Sequence, residues 1–222
     1  ANDTATALSK GPLTANSYMR SATGSSNFGY FSGGYQWPVF GFSTIDRIDY
    51  SNDTATASVK GPLSAGTSYH AAVSSKDYGY SMGGREDPGP GPPYYATNMI
   101  QKFPFSSDTN ATDVGDLTVI SRGGQGGRSA THGYYFHSGY GYHSGSFGIE
   151  KFAFATDGNT AAVSPISPVH ANNFSGYTSS HREPITDNTA TNHYIMSIKR
   201  FVPNYEYGQT FKFNMVNETG TV

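Results

Sequence analysis

The chain has 222 residues, a formal net charge of −2, 14% charged and 36% hydrophobic residues, and no cysteine. That balance excludes nucleic-acid binding driven by counterion release, disulfide staples and thiol chemistry. No run of about 20 apolar residues occurs, so no helical membrane span is encoded, and 27 Gly, 12 Pro, 17 Tyr and 14 Phe suit short strands and tight turns rather than helices.

In chain order, Asn2-Asp3-Thr4-Ala5-Thr6-Ala7 and Lys10-Gly11-Pro12-Leu13 come first, and both recur 50 residues later at Asn52–Ala57 and Lys60–Leu63. Phe28-Gly29-Tyr30 with Gly33-Gly34 recurs at the same offset as Tyr78-Gly79-Tyr80 with Gly83-Gly84. Ile45–Tyr50 is repeated, more weakly, at Ile100–Phe105, Ile149–Phe154 and Ile198–Pro203. Leu13 to Tyr30, Leu63 to Tyr80 and Leu117 to Tyr134 are each 17 residues apart. Independent spacings that agree identify a repeat of about 50 residues. The copies fall near 1–50, 51–105, 106–154 and 155–203, and 204–222 forms a C-terminal tail or one extra strand near Gln209–Val216. The first residue, Ala1, lies inside a copy, which points to a processed product or the ordered part of a longer protein.

Within the second copy the pattern predicts strands near Tyr69–Ser75, Tyr78–Met82, Thr97–Phe105 and Ala111–Val114. Gly83-Gly84 ends the second of these, where a positive φ is cheap only for glycine. Residues 88–93 form an irregular surface loop. The turn between third and fourth strands carries Asp3, Asp53, Asp108 and Asp157, predicted to fasten the turn by accepting backbone N–H groups two residues on. The third strand carries Arg47, Lys102, Lys151 and Arg200 at one position and Ile48, Phe103, Phe152 and Phe201 at the next. Strand alternation sends the two sets to opposite faces. The apolar set is expected to pack between repeats. The basic set is expected to lay its stems on the next repeat and pair with Asp46 or Glu150, with a ring of ligand-binding cations as the alternative. The fourth copy departs from the pattern: its double glycine has become Ser180-His181, and a polar insertion runs from Arg182 to Asn192.

The chemistry is sparse. His132, His137 and His143 lie close in sequence, but His132 and His137 have opposite strand parity and do not form a metal set. No metal and no cofactor are expected, and no nucleophile elbow, phosphate loop or HExxH occurs. Arg20, Arg122 and Arg128 fall near first-strand starts, which keeps a glycosidase of the arginine-rich kind as a minor alternative. Flat amphipathic rings at Tyr35, Trp37, Tyr94, Tyr95, Tyr140 and Tyr142 sit on expected loops. They are the candidate binding residues, for sugar or protein, unless they only pad the edges of the repeat.

Tyr78–Gly84, followed by Ile45–Tyr50 and Asp53-Thr54 in the neighbouring copy, resembles the framework of kelch repeats, without the kelch tryptophan after the turn. Ser51-Asn52-Asp53 and Ser106-Ser107-Asp108 partly resemble the Asp-box turn of sialidases. The wording of the repeats also resembles that of structural and tail-fibre-like proteins of marine cyanophage-type virions. The resemblance implies an all-β fold, a β-propeller of four-stranded blades, either a four-bladed ring or part of a larger propeller. It further implies a non-enzymatic binding or structural module in a virion or extracellular setting, contacting host-surface glycan or other virion proteins, with homo-oligomerisation left open. A secreted glycan-active enzyme and a subunit of an extracellular filament are the alternatives.

Overall fold

The computed structural model describes residues 7–86, 95–137, 148–165, 174–178, 192–199, 209–214 and 219–221. Strands β1 (Ser21–Gly24), β2 (Phe28–Ser32), β3 (Ile45–Asp49) and β4 (Ser58–Lys60) form the first sheet in that order. Next come β5 (Thr67–Ser68), β6 (Ala71–Ser74), β7 (Tyr78–Met82), β8 (Arg85–Glu86), β9 (Tyr95–Ala96), β10 (Met99–Pro104) and β11 (Thr112–Asp116). Of these, β6, β7, β10 and β11 make the second four-stranded sheet, and β5, β8 and β9 a small three-stranded one. The third sheet is β12 (Gln125–Arg128), β13 (His132–Phe136), β14 (Gly148–Ala153) and β15 (Ala161–Pro165). The fourth is β16 (Phe174–Thr178), β17 (Asn192–Lys199), β18 (Gln209–Asn214) and β19 (Thr219–Thr221). All pairings are antiparallel, and there is no helix among the described residues.

The protein is therefore all-β, and the second sheet follows the pattern read from its repeat. Its strands lie within a few residues of the four expected, and β7 has the same bounds. In the fourth sheet two expectations change. The strand holding Ile198, expected as a third strand, is second in the sheet. Residues beyond 203 supply the last two strands, β18 and β19. The Arg182–Asn192 insertion lies almost wholly outside the described residues.

The first three sheets pack face to face in chain order, because Tyr30 and Tyr80 each enter the next sheet. Tyr30 stacks on Phe105 at 4.5 Å and lies 5.8 Å from Phe103, both contributed by the second sheet's β10 segment. Tyr80 repeats this against Phe152 at 5.0 Å and Phe154 at 5.3 Å of the third sheet. Leu63 joins the first of these clusters and Leu117 the second. The fixed Leu-to-Tyr spacing thus brings together residues of successive copies, since a leucine packs with the tyrosine of the copy before it. Of the apolar set of the third strand, Phe103 and Phe152 pack between sheets, and Phe201 lies outside the described residues.

A backbone ladder runs beside this core. Met19 and Tyr69, 50 residues apart, both have φ near +56°, and Gly123 has +73°. Tyr69 N–H donates to Met19 O at 3.2 Å, and Gly123 N–H donates to Tyr69 O at 2.7 Å. The double glycines serve the same junctions: Gly34 N–H donates to Thr67 O and Gly84 N–H to Ser121 O, each at 2.8 Å. First strands follow one another, β1 beside β6, β6 beside β12 and β12 beside β16.

Candidate functional site

Two segments distant from any secondary-structure interior meet next to the first sheet. Tyr18 and Tyr35 exchange backbone hydrogen bonds of 2.7 Å, and Gln36 and Val39 pair across a tight turn at 2.7 and 3.0 Å. The rings follow the backbone. Tyr18 lies 6.5 Å from Tyr35, Tyr35 lies 5.3 Å from Phe40, and Trp37 stands edge-on to Phe40 at 5.3 Å. Phe40 is buried, with the Arg85 guanidinium 4.6 Å from its ring centroid. Above it Tyr18 is 67% exposed, Met19 50% and Trp37 72%. Exposed apolar side chains gathered beside a hydrogen-bonded turn make this a candidate contact site.

Of the candidate residues, the structure brings together Tyr35 and Trp37. Tyr95 lies on β9, paired with Glu86, and not on a loop; the small sheet extends the connection between β7 and β10 as strand. Tyr94, Tyr140 and Tyr142 lie outside the described residues. Sequence reasoning missed Tyr18, Met19 and Phe40. Tyr18 and Met19 stand just before a predicted strand, and only their offset of 50 from the Ser68-Tyr69 pair marks the position as special.

The aspartates act across sheets. Asp53 pairs with Lys10 at 3.0 Å. Asp108 pairs with Lys60, whose ammonium also donates to Ser107 O at 2.7 Å, and lies 3.9 Å from Arg47. Asp157 accepts from Lys102 at 2.6 Å and from the Tyr80 hydroxyl at 3.1 Å. The local contact expected at such a turn is made in the first sheet by Asp49, which accepts Ser51 N–H at 2.8 Å. Asp3 lies outside the described residues. At the basic position Arg47 and Lys102 pair with turn aspartates, Asp108 and Asp157, and not with Asp46 or Glu150; Arg200 lies outside the described residues. Lys102 also sits 4.0 Å from the Tyr78 ring centroid, and Arg47 4.9 Å from that of Phe28.

Asp46, Gln101 and Glu150 share the preceding repeat position, and all are buried. Each binds the hydroxyl that follows a repeat leucine: Thr14 donates to Asp46, Ser64 to Gln101 and Thr118 to Glu150. Asp46 also accepts from Arg20 at 2.6 Å. Glu150 additionally accepts from Thr118 N–H at 2.9 Å, from Thr160 and from His137 Nε2 at 2.7 Å. Burial pushes the Glu150 carboxyl up, but the hydrogen bonds from His137 and Thr118 outweigh it and hold it at about 2. The other ring nitrogen of His137, Nδ1, stands 3.1 Å from Ser121 Oγ. Ser121 Oγ in turn accepts from Tyr135 at 3.1 Å.

A hydroxyl, an imidazole and a carboxylate in series is the arrangement that activates nucleophiles. Here Ser121 and His137 are each 5% exposed, and Gly84 of the preceding sheet caps the Ser121 carbonyl. The series is buried and ties the segment before β12 to β13 and β14 of the third sheet. Two of the three arginines considered for glycan chemistry are engaged in the framework, Arg20 with Asp46 and Arg128 with Ser74 O at 3.1 Å. His132 bonds Thr131 at 2.8 Å and stands at the opposite end of β13 from His137. His143 lies outside the described residues. Among the described residues no group of three or more His, Asp or Glu side chains converges as a metal site.

No protein-family model matches the chain, and no curated protein matches it.

Proposed function

We propose that the chain is a β-propeller of kelch-like blades and a non-enzymatic binding or structural module. In this reading each four-stranded meander is a blade, the row of first strands lies toward the axis, and the Tyr–Phe pairs are the blade-to-blade core. The setting we propose is extracellular, on a virion appendage or particle surface, in contact with host glycan or a neighbouring structural protein. One observation carries the binding role: Tyr18, Met19 and Trp37 are held out in water by a hydrogen-bonded turn over buried Phe40. Apolar surface kept exposed on an ordered scaffold is retained at a cost that a partner repays.

Two measurements test the role. Glycan-array binding by the full chain, and immunogold labelling of purified particles, should each give a positive result. Absence of the chain from particles together with an empty array would remove the appendage reading. Turnover of a polysaccharide by the purified chain would move it to the glycan-active class.

A further inference from the structure

We infer that the turn at residues 34–42, with the segment before β1, is a subsite for a neutral glycan and that Trp37 is its stacking platform. This rests on the reading of the chain as a binding module. Trp37 is the single tryptophan of the chain and is 72% exposed. It is also held in place. Its edge-on contact with Phe40 and the Arg85 cation near the Phe40 ring fix the indole from beneath. The Gln36–Val39 backbone pair fixes the turn from the side. A ring presented this way loses little conformational freedom on binding. A flat π-face with half-buried Tyr35 and exposed Tyr18 beside it matches the C–H face of a pyranose. The exposed amides of Asn16 and Gln36 supply donors and acceptors for sugar hydroxyls.

Charge selects the glycan. Residues 14–19 and 36–39 include no residue charged at neutral pH. The two guanidiniums nearby are turned into the protein, Arg20 onto Asp46 at 2.6 Å and Arg85 beneath Phe40. The anionic group of a sialylated, sulfated or uronic-acid ligand is held most strongly by a cation, and the exposed surface offers none in these segments. Size argues against a protein partner as the occupant. Stable protein interfaces bury roughly 800 Å² on each side, whereas this patch is one turn and a few side chains.

The single tryptophan makes the test site-specific. Neutral oligosaccharides of glucan, mannan and galactan type are titrated into the full chain while indole emission is followed, with sialylated and sulfated oligosaccharides as a second series. A saturable emission change with a neutral sugar is expected. Tyr18→Ala and Tyr35→Ala should weaken it about tenfold, the loss typical of a central aromatic anchor. Trp37→Ala should abolish array binding with an unchanged melting temperature, because the side chain is exposed. Three results would each overturn the subsite: binding restricted to anionic glycans, neutral-sugar binding that leaves Trp37 emission and Trp37→Ala affinity unchanged, or no glycan binding. Particle labelling is read separately. A chain found on particles that binds no sugar removes the subsite and keeps the module. Sugar binding through Trp37 by a chain absent from particles keeps the subsite and the binding module and moves the module off the virion.

Discussion

His70 is buried between the first two sheets, with Nε2 3.0 Å from Ser32 Oγ. Burial lowers its pKa from 6.5 to about 4. Unfolded chains take up a proton near pH 6.5 and the folded protein only near 4, so stability is full above pH 6.5 and falls between 6.5 and 4. The loss amounts to about 3 kcal/mol. Urea titrations across that range should show it, and His70→Gln should flatten it; an equal slope in both proteins would rule His70 out as the cause. Glu150 has its own window. Its folded pKa of about 2 lies below the unfolded value near 4.5, so its contribution is intact above pH 4.5 and disappears toward pH 2. Glu150→Gln should cost about 3 kcal/mol at pH 7 and lose less stability on acidification from 4.5 to 2. Equal acid loss in the variant would show that another group carries it. At this scale the sequence disclosed positions but not partners. Asp53, Asp108 and Asp157 were recognisable as turn residues. What faces each turn, a lysine of the preceding sheet or of the incoming segment, depends on how copies stack. The relay through His137 was hidden because it replaces the glycine found at 33 and 83.

The elements were legible wherever hydrophobic period and glycine punctuation agreed. β7 and β10 of the second copy combine an alternating aromatic pattern with the Gly83-Gly84 stop, and both lie where expected. β8 and β9, two residues each, are too short to leave a period, so Tyr95 was taken for a loop residue. The glycines at the middle of the second strands have a steric cause. A Cβ on Gly79 would lie 2.2 Å from the Phe103 ring, and one on Gly133 2.4 Å from that of Phe152. Each aromatic lies over its glycine partner on the adjoining strand, and Tyr30 or Tyr80 holds it from the next face. The ring has nowhere to retreat. Gly79→Ala should therefore destabilise by about 1–3 kcal/mol, as overpacking does, despite a gain in strand propensity. Gly148→Ala, where nothing lies within 4 Å, is the control expected to change stability by less than about 0.5 kcal/mol. Thermal melts compare the two, and equal effects would contradict the packing account.

Among the described residues four four-stranded sheets follow in series, the first three joined by tyrosine–phenylalanine packing, by lysine–aspartate pairs and by a backbone ladder through residues 19, 69 and 123, and the fourth set beside the third through β12 and β16. Sequence period revealed the sheets, because each strand pattern is local. It revealed a strand near Gln209–Val216, where β18 lies, but not that β18 and β19 complete the fourth sheet, nor the convergence of residues 17–20 with 34–42. Our reading of these sheets as blades around one axis makes a geometric demand on β1 and β16. Wrapped around an axis, the first and last of the four first strands approach each other. Piled in a line, they stand three sheet spacings apart, on the order of 30 Å. The chain contains no cysteine, so spin labels at Ala22→Cys and Ser175→Cys report only this pair. Pulsed dipolar spectroscopy should give a β1–β16 separation well below about 30 Å, and a distribution centred there or beyond would contradict the propeller.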